Sequence, residues 1–245
     1  MGKKFKKRKP INIEMYNRLI KENGLILECI EKLKKKFELP VKSILEIGTG
    51  TSQFATKFLI ESERAKLIEK FYGMEPVDEL FEESKKYVVR LSRTDATSQD
   101  YFGGNPFDII SFSLVFSHIT DDKKKGFIKH AYNNLRDGGK LIAFETFIPD
   151  YTNQEQKEIA TNNFLKENIK FFKSNKNDFI MNYFYQLMNE EAEDYIFGEY
   201  KYNLKTFKDY LENVGFNNIK IEQHKGTKDF DWGKMGYYII TADKE

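Results

Sequence analysis

Between Val41 and Phe147, short apolar runs alternate with stretches of helical periodicity, and this alternation leaves the chain few architectures to choose from. Val41–Ile47, Leu67–Met74, Tyr87–Leu91, Phe107–Leu114 and Lys140–Phe147 read as strands. Ser52–Glu63, Val77–Lys86 and Asp121–Leu135 read as the intervening helices, the last stopped by Asp137-Gly138-Gly139. The segment Phe107–Leu114 is an almost unbroken apolar run, as expected of a strand covered on both faces of a parallel sheet. Strand–helix–strand units wind right-handed. The expected class is therefore α/β, a doubly wound and mostly parallel sheet.

The flanks add helices and two more strands. From Ile11 to Phe37 apolar residues recur at helical spacing, with Gly24 as the expected break and Pro40 as the end. Gln154 to Gly198 is helical, polar and rich in aromatics. A helix over Leu204–Val214, stopped by Gly215, precedes strands near Asn217–Gln223 and Tyr237–Ala242, which brings the strand count to seven. At 245 residues one core is expected. We divide residues 1–245, read as a single domain, into a basic flexible tip (1–10), N-terminal helices (11–40), a cofactor-binding core (41–150), a helical cap (151–202) and a C-terminal helix and strand pair (203–245).

Charge is distributed unevenly. Six of the forty Lys and Arg residues lie between Lys3 and Lys9, leaving 34 against 38 Asp and Glu in the remainder. The tip suits RNA or an anionic surface, or is a solvated terminus. The slightly acidic body argues against a broad nucleic-acid footprint. No run of eighteen apolar residues is present, and no apolar stretch follows the basic start, so neither a membrane span nor a signal peptide is expected. Cys29 is the single cysteine and forms no internal disulfide, which fits a reducing cytoplasm.

The segment Ile44-Leu45-Glu46-Ile47-Gly48-Thr49-Gly50-Thr51-Ser52 carries the chemistry. Two glycines at a strand end permit a tight turn and close approach of a ligand to the backbone, and free amides follow at a helix start. Alone, such a loop suits NAD, FAD or adenosylmethionine. A dinucleotide site wants a small residue where Gln53 stands, and it has no use for an acid at Glu46. An acid there suits the amino group of a methionine moiety.

Here the chain resembles the class I S-adenosylmethionine-dependent methyltransferases of small-molecule type. Their first motif, acid-x-Gly-x-Gly-x-small, is matched by Glu46 to Ser52, with Ser52 in place of the usual last glycine. Further motifs follow in order: Gly73-Met74-Glu75-Pro76, Arg93-Thr94-Asp95-Ala96, the strand Phe107–Leu114, and Asn134-Leu135-Arg136-Asp137-Gly138-Gly139. The resemblance implies a sheet whose last strand is antiparallel and a cap inserted after the fifth strand. It implies S-adenosyl-L-methionine as cofactor, S-adenosyl-L-homocysteine as product, and no metal. Glu46, Gly48, Thr49, Gly50, Ser52, Glu75, Pro76, Asp95, Ala96 and Ser113 are the implied cofactor contacts. Among them Glu75 would accept from both ribose hydroxyls and Asp95 from the adenine amine. As bland alternatives, Glu75 caps a helix and Asp95 caps a turn.

Acceptor chemistry is less constrained. The Asn/Asp-Pro-Pro-Tyr/Phe motif of base-amine methyltransferases is replaced by Ser113-Leu114-Val115-Phe116, and no cysteine lies near the motifs for attack at a pyrimidine C5. His118 is the titratable group near the expected acceptor position, as a general base or as a cap for the next helix. Tyr16, Tyr183 and Tyr185 are the candidate acceptor contacts. The expected reaction is in-line methyl transfer to an oxygen or nitrogen of a small molecule. RNA modification through the basic tip and a non-catalytic cofactor-binding role are the alternatives.

Overall fold

The computed structural model describes residues 11–94, 97, 106–189, 200–224 and 234–245. The basic tip, Asp95 and Ala96 lie outside the described residues. Helices α1 (Ile13–Glu22) and α2 (Gly24–Lys34) precede β1 (Val41–Ile47), α3 (Ala55–Arg64), β2 (Ile68–Met74), α4 (Asp78–Ser84) and β3 (Arg90–Ser92). Next come β4 (Phe107–Ser113), α5 (Asp121–Asn134), β5 (Leu135–Phe147), α6 (Gln154–Ser174) and α7 (Asp178–Asn189). The described chain closes with α8 (Leu204–Val214), β6 (Phe216–His224) and β7 (Gly236–Lys244).

Among the described residues seven strands form one sheet in the order β3-β2-β1-β4-β5-β7-β6. The pairs among β1 to β5 are parallel, and β7 runs antiparallel to both β5 and β6. The expected fold class, with its antiparallel last strand, is borne out. Residues alternate between the two faces of every central strand. Ile44, Ile109, Ile142, Phe144, Tyr237 and Ile239 join a core with α2, α3, α6 and α7. Their neighbours Leu45, Ile110, Leu141, Ala143, Tyr238 and Ile240 join a second core with α5 and α8.

Asparagine starts five of the helices, Asn177 before α7 among them, its Oδ1 accepting from the Ile180 amide at 3.0 Å. At the other four, the Oδ1 atoms of Asn12, Asn23, Asn153 and Asn203 accept from amides three residues on, at 2.9, 3.2, 2.9 and 2.7 Å. Asn23 both closes α1, donating its amide to Ile20, and opens α2. The helix break therefore falls at Asn23, and Gly24 is the first helical residue rather than the interruption. The turn at Gly138 also differs from expectation. α5 ends at Asn134, and Leu135 already pairs with Phe107, so Asp137-Gly138-Gly139 forms an irregularity within β5 instead of stopping the helix. Two steps along β4 are there matched by five along β5.

Candidate active site

The chain runs outward from β1 through β2 to β3, then returns to β4 and continues to β5 on the other side. This leaves a crevice at the carboxyl ends of β1 and β4, the place where open α/β sheets hold their ligands. The loop after β1 forms one wall. Its first two amides, of Gly48 and Thr49, donate to the Met74 carbonyl at 2.7 and 3.1 Å, tying the turn to the end of β2. Gly48 has φ +75°, and a Cβ there would lie 2.4 Å from Val115 Cγ2. A side chain at this position is excluded both by backbone conformation and by contact.

Ser52 takes a left-handed φ of 59°, a conformation that glycine adopts without strain. Its hydroxyl, like that of Thr49, meets Ser84 Oγ, which is fully buried at the end of α4. Ser52 thus braces the loop from behind and does not line the crevice. Thr51 does line it, bonded to Asn17 of α1. The left-handed turn delays α3, which starts at Ala55 rather than Ser52.

Two buried carboxylates face this loop. Glu75 is 3% exposed; Oε2 accepts from the Gly50 amide at 2.8 Å and Oε1 from the Val77 amide at 3.0 Å. The contact to Val77, the residue before α4, ties Glu75 to the start of that helix. Glu46 is 1% exposed and accepts from the Ser111 hydroxyl of the neighbouring strand. Burial pushes its carboxyl up to about 7, with the Ser111 hydroxyl opposing. The Tyr16 phenol from α1 lies over the loop and is pushed up by burial and by the charge of Glu75.

The opposite wall comes from the segment after β4. Leu114 has φ +56° and a one-turn 3₁₀ helix spans Phe116–His118. Glu145 of β5 shapes this turn, its Oε1 accepting from the amides of Val115 and Phe116 at 2.7 and 2.8 Å. Burial raises Glu145 to about 7 as well. His118 sits at the end of the turn on the crevice wall, while Thr120 occupies the N-cap position of α5. Ser113 Oγ is buried, has no hydrogen-bond partner among the described residues, and lines the same space.

These walls and the cap enclose one chamber of about 460 Å³, within the range of small-molecule sites. Of the expected residues, Glu46, Gly48, Thr49, Gly50, Glu75, Pro76, Ser113, His118, Tyr16 and Tyr183 line it together. Tyr185 does not. It is 44% exposed on the outer face of α7, because the helical period carries Tyr183 and Gln186 inward and turns Tyr185 away. Sequence reasoning missed Thr51, at a variable position of the glycine motif, and Thr146, Gln186 and Lys201, which lie on the wall without any local motif to mark them. Among the described residues no group of three His, Cys, Asp or Glu side chains is arranged to hold a metal, and no helix is long and apolar enough to cross a membrane.

The two raised carboxyls have a measurable consequence. Glu46 and Glu145 have folded values near 7 against an ordinary 4.5, so from about pH 4.5 to 7 the folded chain holds protons that the unfolded chain has released. Their contribution to stability is present at low pH and is lost as pH rises through 7. Glu46→Gln removes one of these sites. The fall in unfolding free energy from pH 5 to pH 8 is expected to be on the order of 3 kcal/mol smaller in the variant. Urea melts at the two pH values measure it, and equal falls in both proteins would refute the assignment.

Residues 16–221 match a protein family described as "Methyltransferase domain". An uncharacterized methyltransferase of Anoxybacillus flavithermus is 32% identical over 104 residues, covering 42% of this chain and 46% of that protein. One of Bacillus mycoides is 28% identical over 109 residues, covering 44% and 49%. The matched region spans about half the length of these relatives. Among solved structures, a Thermotoga maritima methyltransferase described as a possible histamine N-methyltransferase superposes with a TM-score of 0.58 at 17% identity, covering 95% of this chain and 96% of that one. The Haemonchus contortus phosphoethanolamine N-methyltransferase 2, in complex with S-adenosyl-L-methionine, gives 0.58 at 14% identity over 95% and 56%. At these identities the structural likeness speaks for the fold, and the family match over most of the chain carries the assignment: this chain belongs to the class I S-adenosylmethionine-dependent methyltransferases.

Proposed function

We propose that the chain transfers a methyl group from S-adenosylmethionine to an oxygen or nitrogen atom of a small molecule. The observation that carries this reading is the continuity of the chamber. It runs from the loop at Gly48 and Glu75, past Ser113 and His118, to the cap side chains Phe164, Ile180 and Tyr183. Cofactor and acceptor therefore have room to meet end to end, with α6 and α7 roofing the acceptor side. That enclosure suits a free small molecule better than a nucleotide held within an RNA. The Thermotoga and Haemonchus proteins, whose descriptions name small amines, are consistent with it.

The residues fit the cofactor group by group. The buried Glu75 carboxylate, on the chamber wall beside the glycine loop, suits a ribose diol, and an anionic Glu46 complements the cationic amino group of the methionine end. The Ser113 hydroxyl, without a partner among the described residues, supplies a donor at the junction of the two halves. The cofactor brings a methyl group already activated on sulfonium, so the protein's task is alignment, exclusion of water and management of one proton. His118, on the acceptor wall, takes that proton when the nucleophile must lose one.

The test is product formation by the purified chain with S-adenosylmethionine and a panel of small phenols, amines and acids, beside His118→Gln. The variant is expected to bind the cofactor as wild type does. Its kcat at neutral pH should fall by about 10²–10⁴-fold, with partial recovery at a pH where the acceptor ionises alone. An unchanged rate would remove His118 from the reaction, and failure of the wild type to bind S-adenosylhomocysteine would remove the reading of the chamber itself.

A further inference from the structure

We propose that Glu145 is a positioning residue for methyl transfer, holding the turn at residues 114–118 so that Ser113 and His118 face the place where cofactor and acceptor meet. The proposal rests on the methyl-transfer reading and adds to it a residue that stands behind the chamber wall rather than on it.

The chain leaves β4 abruptly. The Leu114 amide still donates to the Phe144 carbonyl at 2.8 Å, continuing the pairing with β5 by one residue. Leu114 then takes φ +56°, a left-handed state that is costly for leucine, and the 3₁₀ turn follows at once. The amides that open such a turn have no partner within it, and Val115, at the capping position, has no side-chain acceptor to offer. Glu145 supplies the acceptor from β5. Its Oε1 takes both amides, Val115 at 2.7 Å and Phe116 at 2.8 Å. One carboxylate oxygen has lone pairs for two donors, so a single side chain closes the turn.

The surroundings are otherwise apolar. Leu141, Ala143 and Phe147, on the same face of β5, are core residues, and Glu145 is 0% exposed among them. A carboxylate in such a place is unfavourable unless hydrogen bonds compensate it, and here the compensating bonds go to the turn. Burial pushes the carboxyl up to about 7, opposed by the Phe116 and Val115 amides and after them by Lys201 and Tyr202, while Lys124 faces it from α5. The turn is also fixed in front, where Val115 Cγ2 fills the space that a Cβ on Gly48 would need. Between these two supports Ser113 and His118 have little freedom, and both line the chamber. The glycine loop is held separately, by the Met74 carbonyl and by Glu75, so cofactor binding does not depend on Glu145. Misplacing a reacting group by about 1 Å costs about 10²-fold in rate.

The test compares wild type, Glu145→Gln and Glu145→Leu as full chains saturated with S-adenosylhomocysteine. In wild type the Val115 and Phe116 amide signals in proton–nitrogen correlation spectra should move together with a midpoint near pH 7. In Glu145→Gln that movement should vanish while the His118 ring still titrates. Methyl transfer is then measured with S-adenosylmethionine and the best acceptor of the phenol, amine and acid panel. Glu145→Leu leaves both amides without an acceptor and should lose about 10²-fold in kcat, with S-adenosylhomocysteine affinity within about threefold of wild type. Glu145→Gln, whose amide oxygen still accepts, should recover about tenfold of that loss. Amides that stay still in wild type, or move equally in Glu145→Gln, overturn the proposal even if Glu145→Leu does not fold. So do equal kcat losses in the two variants, an unchanged kcat in Glu145→Leu, or a loss confined to cofactor affinity. In a wild type that transfers methyl to no acceptor, the methyl-transfer reading has failed and the proposal with it. Amides that still titrate mark that case as distinct from absence of the Glu145 contact.

Discussion

Glu75→Ala is expected to weaken binding of S-adenosylmethionine by about a hundredfold or more. In the folded chain each carboxylate oxygen accepts one loop amide, from Gly50 or from Val77, and the residue lines the ligand space. Hydrogen bonds to a charged group contribute roughly 1.5–3 kcal/mol each, so losing two from a ribose diol amounts to about 10²–10⁴ in affinity. Alanine also leaves two buried amides without acceptors and so loosens the loop. Contact and scaffold effects separate with a pair of competitors. Wild type should prefer adenosine to 2′-deoxyadenosine, and Glu75→Ala should bind both equally weakly. A variant that kept its preference for the ribose hydroxyl would show that Glu75 only braces the loop, the role already visible in its contact to the residue preceding α4.

The sheet was legible in the sequence because its signal is repeated. Ile44-Leu45, Ile109-Ile110 and Tyr237-Tyr238-Ile239-Ile240 each supply apolar side chains to both faces, as a sheet covered on both sides requires. Boundaries were less legible where polar side chains decide them. Gly24 looked like the helix break, yet Asn23 makes the break because its amide and its side chain satisfy the ends of two helices at once. Asp137-Gly138-Gly139 looked like a helix stop, but tertiary pairing captured Leu135 first. The same division runs through the site. Gly48, Gly50, Glu46 and Glu75 lie in a contiguous motif whose chemistry can be read locally. Ser84, Thr146 and Lys201 reach the site from distant elements through pairing and packing, and nothing in their neighbours along the chain marks them. Asp95 and Ala96 fall outside the described residues, so the adenine end remains an expectation from the motif order.

The second large effect is expected at Lys124, a charged residue that the fold buries to 1% exposure. Its ammonium donates to the carbonyls of Ile119 and Tyr200 at 2.7 and 2.8 Å and to Asp121 Oδ1 at 2.8 Å. It lies 5.5 and 5.1 Å from the ring centres of Phe116 and Tyr202. Burial lowers its value to about 8, opposed by Asp121, so it stays mostly protonated at neutral pH. One side chain thus ties together α5, the turn that presents His118 and the segment that presents Lys201. Lys124→Ala loses about three methylenes of buried stem and orphans two carbonyls, a cost of about 4 kcal/mol after the relief of desolvation. For a chain of this size that corresponds to a fall in Tm of about 8–16 °C. Lys124→Met keeps most of the stem and should lose about half as much. Thermal unfolding of both variants checks the ranking, because equal stability of Met and Lys would mean that the ammonium contributes nothing net. Below their melting points both variants should bind S-adenosylhomocysteine as wild type does, since Glu46, Glu75 and the glycine loop are untouched. Their KM for the acceptor should nevertheless rise, because the distance between His118 and Lys201 is no longer held by a shared anchor. A loss confined to cofactor affinity would contradict that division of the chamber.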